Sequence, residues 1–302
     1  YGTKNGPVRR GERNFGAGRT GGGSLKLGDL EFHVLVDGYV SLDGGAMFGV
    51  IPKTMWEKKI PSDARNRIQL AMNCLLVHAG GKRILVETGI GAKMSPKLRD
   101  IYGVEGPFLN DRLKHHGLDP SEIDIVINTH LHFDHCGGNT RVEKDKVIAA
   151  YPNAKYVVQR GEFEHAKHPN ERDRASYILE NYAGLEAKGK LALLEGDRAI
   201  APGVELIRVP GHTANMQCVK LTGGGKTAFF LADLVPTTAH LPLPWIMGFD
   251  LFPVTTLENK KRWIPELVKE GWLALFCHDT KTQAAHLRER NGVLEAEPVK
   301  VD

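Results

Sequence analysis

The sequence predicts an α/β protein in which two β-sheets pack face to face with helices outside. Three observations carry this expectation. Apolar runs of strand length recur along the chain, punctuated by glycine, proline and aspartate turns. The runs fall into two strand-rich blocks, each followed by helical segments. No linker or internal repeat separates the blocks, and 302 residues suffice for one large core. Residues 28–302 therefore read as a single domain.

The elements follow in order. Residues 1–27 read as a flexible leader: Gly2, Gly6, Gly11, Gly16, Gly18, Gly21, Gly22 and Gly23 leave no apolar periodicity. It could be a mobile leader, an exchanged arm or added sequence. Residues 30–40 read as a strand running into a turn. Residues 68–78 and 83–87 flank Ala79-Gly80-Gly81-Lys82 as a hairpin. Residues 96–102 and 108–116 read as helices, the second stopped by Gly117. Residues 124–128 form a short buried strand, and 155–159 another, followed by a charged, mostly helical region through Tyr182. Residues 191–194, 204–209, 216–221 and 227–231 are successive strands of the second block, with Gly223-Gly224-Gly225 as a turn. Thr255-Thr256-Leu257-Glu258 reads as a capping box opening a helix that ends near Gly271, with Pro265 as a kink point. Residues 273–276 are expected to be the final strand.

Charge and composition exclude several functions. The formal net charge is +4, and it sits in residues 1–24, where Lys4, Arg9, Arg10, Arg13 and Arg19 face only Glu12. The rest of the chain balances to zero, which argues against a phosphate-tracking groove and hence against nucleic acid. No apolar run reaches about 18 residues, so no membrane helix is expected. Cys74, Cys136, Cys218 and Cys277 show no CxxC spacing and read as reduced, buried thiols. With no apolar signal region visible in the chain, the cytoplasm is the expected location, a cleaved upstream signal staying open.

One cluster concentrates the chemistry. His130-Leu131-His132-Phe133-Asp134-His135 follows the apolar run Ile125-Val126-Ile127, in a chain with 13 histidines. Imidazole and carboxylate are the ligands borderline divalent metals prefer. Three further candidates end strands in the same way: His212 after Val209-Pro210-Gly211, Asp233 after Phe229-Phe230-Leu231-Ala232, and His278 after Leu273-Ala274-Leu275-Phe276-Cys277. A polar group at the end of an apolar strand must be paired, solvated or metal-bound. Cys136 and Cys277 adjoin these histidines and are expected to pack beneath them.

His-x-His-x-Asp-His, then Gly-His-Thr, then an Asp and a late His after apolar strands resembles the metallo-β-lactamase superfamily. The resemblance runs from about residue 28 to 280. It implies a four-layer αββα sandwich with the site at one edge between the sheets. It further implies two divalent metal ions, Zn2+ first, with Mn, Co or Fe as alternatives. Carried over by position, His130, His132 and His212 would hold one ion, and Asp134, His135 and His278 the other. Asp233 would bridge both. Two such ions about 3.5–4 Å apart would deliver a bridging hydroxide at neutral pH. Asp134 would also be the catalytic residue that passes a proton to the leaving group. Glu87-Thr88-Gly89 departs from the Asp-Thr-Gly common in the superfamily.

Within the superfamily, the chain resembles N-acyl-homoserine-lactone lactonases and methyl-parathion-hydrolase-like phosphotriesterases. Its substrate is expected to be a small lactone or ester, with phosphotriesters or aryl esters as the alternative. β-Lactamase and mononuclear-iron sulfur dioxygenase chemistry rank lower. Only 24 residues follow His278, too few for a glyoxalase-type helical domain, and a flavodiiron enzyme would have a glutamate in the cluster. Some lactonases carry a tyrosine shortly after the bridging Asp; residues 234–240 have none, and His240 is the candidate to replace it. The apolar stretches around Met47-Phe48 and Trp245-Ile246-Met247-Gly248-Phe249 read equally as an acyl or aryl pocket and as ordinary loop packing. Relatives of this kind often dimerise, so a homodimer is a further expectation.

Overall fold

The computed structural model describes residues 24–301. Among these, two seven-stranded sheets face each other. Sheet 1 contains β1 (Leu25–Leu27), β2 (Leu30–Asp43), β3 (Arg67–Ala79), β4 (Lys82–Val86), β5 (Ile125–Ile127), β8 (Lys155–Gln159) and β9 (Leu191–Leu194), paired in that order. A small hairpin, β6 (Thr140–Glu143) and β7 (Lys146–Ala149), lies apart from both sheets. Sheet 2 runs from β10 (Arg198–Ala201) through β11 (Val204–Arg208), β12 (Gln217–Gly223), β13 (Lys226–Phe230), β14 (Leu273–Leu275) and β15 (Ala284–Arg290) to β16 (Val293–Pro298). The helices are α1 (Gly44–Phe48), α2 (Lys53–Trp56), α3 (Pro96–Ile101), α4 (Leu109–His115), α5 (Phe133–Cys136), α6 (Arg160–Lys167), α7 (Ala183–Ala187) and α8 (Pro253–Glu270).

Strand alternation sorts the core into layers. Leu75, Val77, Ile84, Val86 and Ile127 face Leu206, Met216 and Cys218 across the inter-sheet core. Their neighbours Leu76, Leu85 and Val126 point the other way, onto Leu109 and Leu113 of α4 and Leu185 of α7. On the far side α8 packs Trp263 on Phe229, ring centroids 4.9 Å apart. The result is the expected αββα sandwich.

Several boundaries differ from the sequence reading. Leu25–Leu27, assigned to the leader, pair with Leu30–Phe32 as an edge strand because their leucines alternate into the core. Residues 1–23 of the expected leader lie outside the described residues. Leu191–Leu194 joins sheet 1 beside β8 rather than the second block. Residues 273–276 do not end the sheet. A charged hairpin, β15 and β16, follows across Asn291-Gly292, both at positive φ. The helical region after β8 stops at Lys167 and gives way to turns. The capping box is absent: Pro253 opens α8, and the Thr256 hydroxyl donates to Asp250 Oδ2 at 2.6 Å. Pro265 lies inside α8 without ending it, and Gly271 closes it in the left-handed conformation. No helix among the described residues is long and apolar enough to cross a membrane.

Candidate metal centre

All seven expected ligands are buried together where strand ends of the two sheets meet. After β5 the chain bends at Thr129–His130, is extended at His132 and then makes the single helical turn α5. Across this bend His130 and His132 converge with His212. Asp134 and His135 sit on the turn. This segment is locked to residues 88–93: Thr88 N donates to His135 O at 2.9 Å, and the Lys93 ammonium donates to Gly137 O. Sheet 2 supplies the remaining ligands. Gly211, at φ +148, brings its backbone against Thr256, where any Cβ would lie 2.4 Å from the hydroxyl.

The donor atoms form two groups. His130, His132 and His212 make one; Asp134, His135 and His278 make the other. Asp233 touches both, with Oδ2 3.1 Å from His212 Nε2 and Oδ1 3.4 and 3.2 Å from the Nε2 atoms of His135 and His278. The ring nitrogens turned away from the site are tied to acceptors. His212 Nδ1 meets Asp250 Oδ1 at 2.9 Å, His135 Nδ1 meets Glu87 Oε1 at 3.3 Å, and His278 Nδ1 meets Ala71 O at 3.0 Å. A neutral ring that donates from Nδ1 to these acceptors presents Nε2 as the bare nitrogen a metal requires. In that neutral form the lone pairs of His135 Nε2 and His278 Nε2 face each other at 3.2 Å. They repel unless a cation lies between or beside them. His130 Nε2 and His132 Nε2 are buried with no hydrogen-bond partner. The residues therefore suit divalent cations.

Burial and neighbouring charge split the imidazoles into two sets. Burial pushes His130 and His132 well below the ordinary imidazole range, and neighbouring imidazoles push the same way. Burial acts likewise on His135, but Asp233, Asp134 and Glu87 outweigh it and raise it well above that range. Burial opposes ionisation of Asp233, yet His135, His212 and His278 hold its carboxylate well below the usual value.

Glu87 at the departure position still reaches the site. It adopts φ +64, and Oε1 accepts from Thr129 N at 3.1 Å as well as facing His135. Cys277 packs beneath, its thiol 3.1 Å from Asp233 Oδ1, and Cys136 packs under Leu131. Both thiols, like Cys74 and Cys218, are free and buried.

A cavity of about 120 Å³ opens on the centre. Met47, Met247 and Phe249 line it, as expected, together with Leu70, Tyr102 and Phe133. Phe48, His240 and Trp245 do not, which corrects the sequence reading. Phe48 stacks on His240 at 4.5 Å and meets Trp245 edge-on at 5.6 Å, behind the cavity wall. His240 Nε2 is spent on Met47 O at 2.8 Å, so it offers the site no polar contact. Asp250, Tyr102 and Glu162 were missed. A carboxylate behind an imidazole 38 positions away leaves no spacing signature.

A two-sheet sandwich with histidines and aspartates gathered at the shared edge is the frame of a metal-dependent hydrolase. The chain belongs to the metallo-β-lactamase superfamily, whose pattern matches residues 68–278. It is 31% identical over 230 residues to an N-acyl homoserine lactonase of a Bacillus species, covering 72% of this chain and 84% of that protein. It is 30% identical over 224 residues to the N-acyl homoserine lactonase AttM of Rhizobium radiobacter, covering 68% and 80%. Among solved structures, a Staphylococcus aureus protein described as a probable metal-dependent hydrolase superposes with a TM-score of 0.85 at 30% identity, over 92% of this chain and 99% of that one. AidC, a dizinc quorum-quenching lactonase, shares the fold with a TM-score of 0.77 at 22% identity, over 93% and 98%.

Proposed function

We propose that this hydrolase is a two-metal lactonase that opens N-acyl homoserine lactones or close relatives, with zinc as its metal. The observation that carries the reading is Asp233, whose two oxygens face the two histidine groups separately. His130, His132 and His212 would hold one ion, Asp134, His135 and His278 the other, and Asp233 would serve both. When bound, such ions acidify water and polarise a carbonyl oxygen. Asp134 borders the cavity and, once the ester bond opens, would carry a proton to the departing alkoxide. Met47, Phe133, Met247 and Phe249 give an acyl chain an apolar wall and exclude water beside it. The lactonase relatives support the lactone over a phosphotriester.

The test is a hydrolysis panel on zinc-, manganese- and cobalt-loaded protein, with metal content measured on each sample. Acyl-homoserine lactones should exceed simple lactones, paraoxon-type triesters, aryl esters and a cephalosporin in kcat/KM, at two ions per chain. Full loading with no lactone turnover, or a preference for the triester, would reject the reading. Replacing Phe249 or Met47 by alanine should weaken long-chain lactones more than short ones.

A further inference from the structure

Helix α6 carries a buried carboxylate outside the ligand set. Glu162 is 1% exposed. Its Oε1 accepts from Leu131 N at 3.1 Å and from the Tyr177 hydroxyl at 2.9 Å, and its Oε2 accepts from the Thr213 hydroxyl at 2.6 Å. All three donors are neutral. A carboxylate this deep is costly unless its lone pairs are saturated, and bonds to the ionised form are the strong ones.

Each donor belongs to a segment that carries or touches a histidine of the three-His group. Leu131 lies between His130 and His132. Thr213 follows His212. Tyr177 packs edge-on against His132, centroids 4.8 Å apart, and is backed by His165 at 5.4 Å. His165 is itself held by Asp173 at 2.5 Å. The two histidine segments come from different sheets, yet His132 Nδ1 and His212 Nε2 lie 3.0 Å apart across 80 positions of sequence. Lower down, Gln217 joins the same strand ends, its N to Thr129 O at 3.0 Å and its Nε2 to Asn128 O at 2.9 Å. At the tips, where the imidazoles meet, Glu162 spans both segments.

We propose that Glu162 is a positioning residue that assembles the His130/His132/His212 face for its metal, by clamping the two sheet edges and Tyr177 onto one carboxylate. The proposal rests on the reading of those three histidines as metal ligands. It concerns affinity at that group alone, since no bond of Glu162 reaches His135 or His278.

The test is zinc affinity by competition with a chromophoric chelator, alongside the absorption spectrum of the cobalt-loaded protein. Glu162→Ala frees all three donors and should weaken one of two sites about 10–100-fold, with an altered cobalt spectrum and the second site unchanged. Glu162→Gln keeps an acceptor for Leu131 and Tyr177 and can donate to Thr213, so its loss should be smaller. A folded Glu162→Ala protein with both affinities and the cobalt spectrum of the parent would overturn the proposal. If Glu162→Ala does not fold, Thr213→Val and Tyr177→Phe decide. Each should weaken the same site, and the double variant should be non-additive; unchanged or additive affinities would overturn the clamp. His132→Ala and His212→Ala are measured in parallel. Should they keep two ions per chain, the three-histidine reading fails and the clamp with it. Should they lose one ion while Glu162→Ala loses nothing, only the clamp fails.

Discussion

Asp233 is the residue on which the centre turns, because its charge is shared between His212 on one side and His135 and His278 on the other. Asp134 differs from it. It borders the cavity, and its Oδ2 lies 3.6 Å from His278 Nε2 and 3.8 Å from His135 Nε2, looser than the Asp233 contacts. Asp134→Asn should therefore leave metal at the three-histidine group while kcat falls about 10²–10⁴-fold. Turnover and metal content measured together decide it, and full turnover at full loading would remove the proton-transfer role. His212, Asp233 and His278 were legible as candidate ligands because each follows an apolar run, where an unpaired polar side chain needs a reason, and the four at 130–135 because they cluster after one such run. Phe48, His240 and Trp245 were misread because composition marks a residue as apolar or aromatic without saying which wall it forms.

At the scale of elements, the centre depends on two backbone approaches that side chains alone would not reveal. The glycines after α5 let that turn press against residues 88–90: a Cβ on Gly138 would lie 2.2 Å from Thr88 O. Gly138→Ala should cost about 1–3 kcal/mol and weaken metal binding, read by urea denaturation and chelator competition. Gly184→Ala, in α7 with nothing near its would-be Cβ, should instead be neutral or stabilising by a few tenths to about 1 kcal/mol. Helix α8 anchors the cavity wall through Lys260, which is fully buried and donates to His240 O, Pro242 O and Trp245 O at 2.6, 2.7 and 3.0 Å. Lys260→Met would remove the donor to His240 O and Trp245 O and leave Pro242 O with Trp245 N alone. It should destabilise the protein by about 3 kcal/mol or more, visible as a lower urea midpoint at unchanged slope. The strands that the sequence reading missed were β1, β10, the β6–β7 hairpin and the β15–β16 hairpin. In the last, Arg288, Glu289, Arg290, Glu295 and Glu297 mask the apolar alternation. Asn291-Gly292 was the signal that could have found it.

For the whole molecule, stability couples to pH through a surface group remote from the centre. His33, His78 and His116 meet edge to face, His33 lying 4.6 Å from His116 and 6.1 Å from His78. Burial lowers all three below the ordinary value, with mutual repulsion and Arg83 and Arg112 adding to it and Glu31 opposing at His33 and His78. The unfolded chain therefore binds protons first as pH falls through about 6.5. Stability contributed by these groups is complete above that pH and is lost on acidification. With metal saturating in both proteins, His33→Phe should show a smaller drop in Tm between pH 7.5 and 5.5 than the parent. An equal or larger drop would exclude the cluster as a source of the pH dependence.

The sequence alone determined the two-sheet α/β architecture and the candidate ligand set with its order along the chain. Those features are local: strand-length apolar runs and the polar residue that ends each one. Only the tertiary structure decided which apolar residues line the cavity, and that Asp250, Glu87 and Glu162 stand behind the histidines. Such contacts join positions tens of residues apart and from different sheets, so no spacing or periodicity in the chain encodes them. The His130–His135 segment could be read directly; the carboxylates that hold it in place could not.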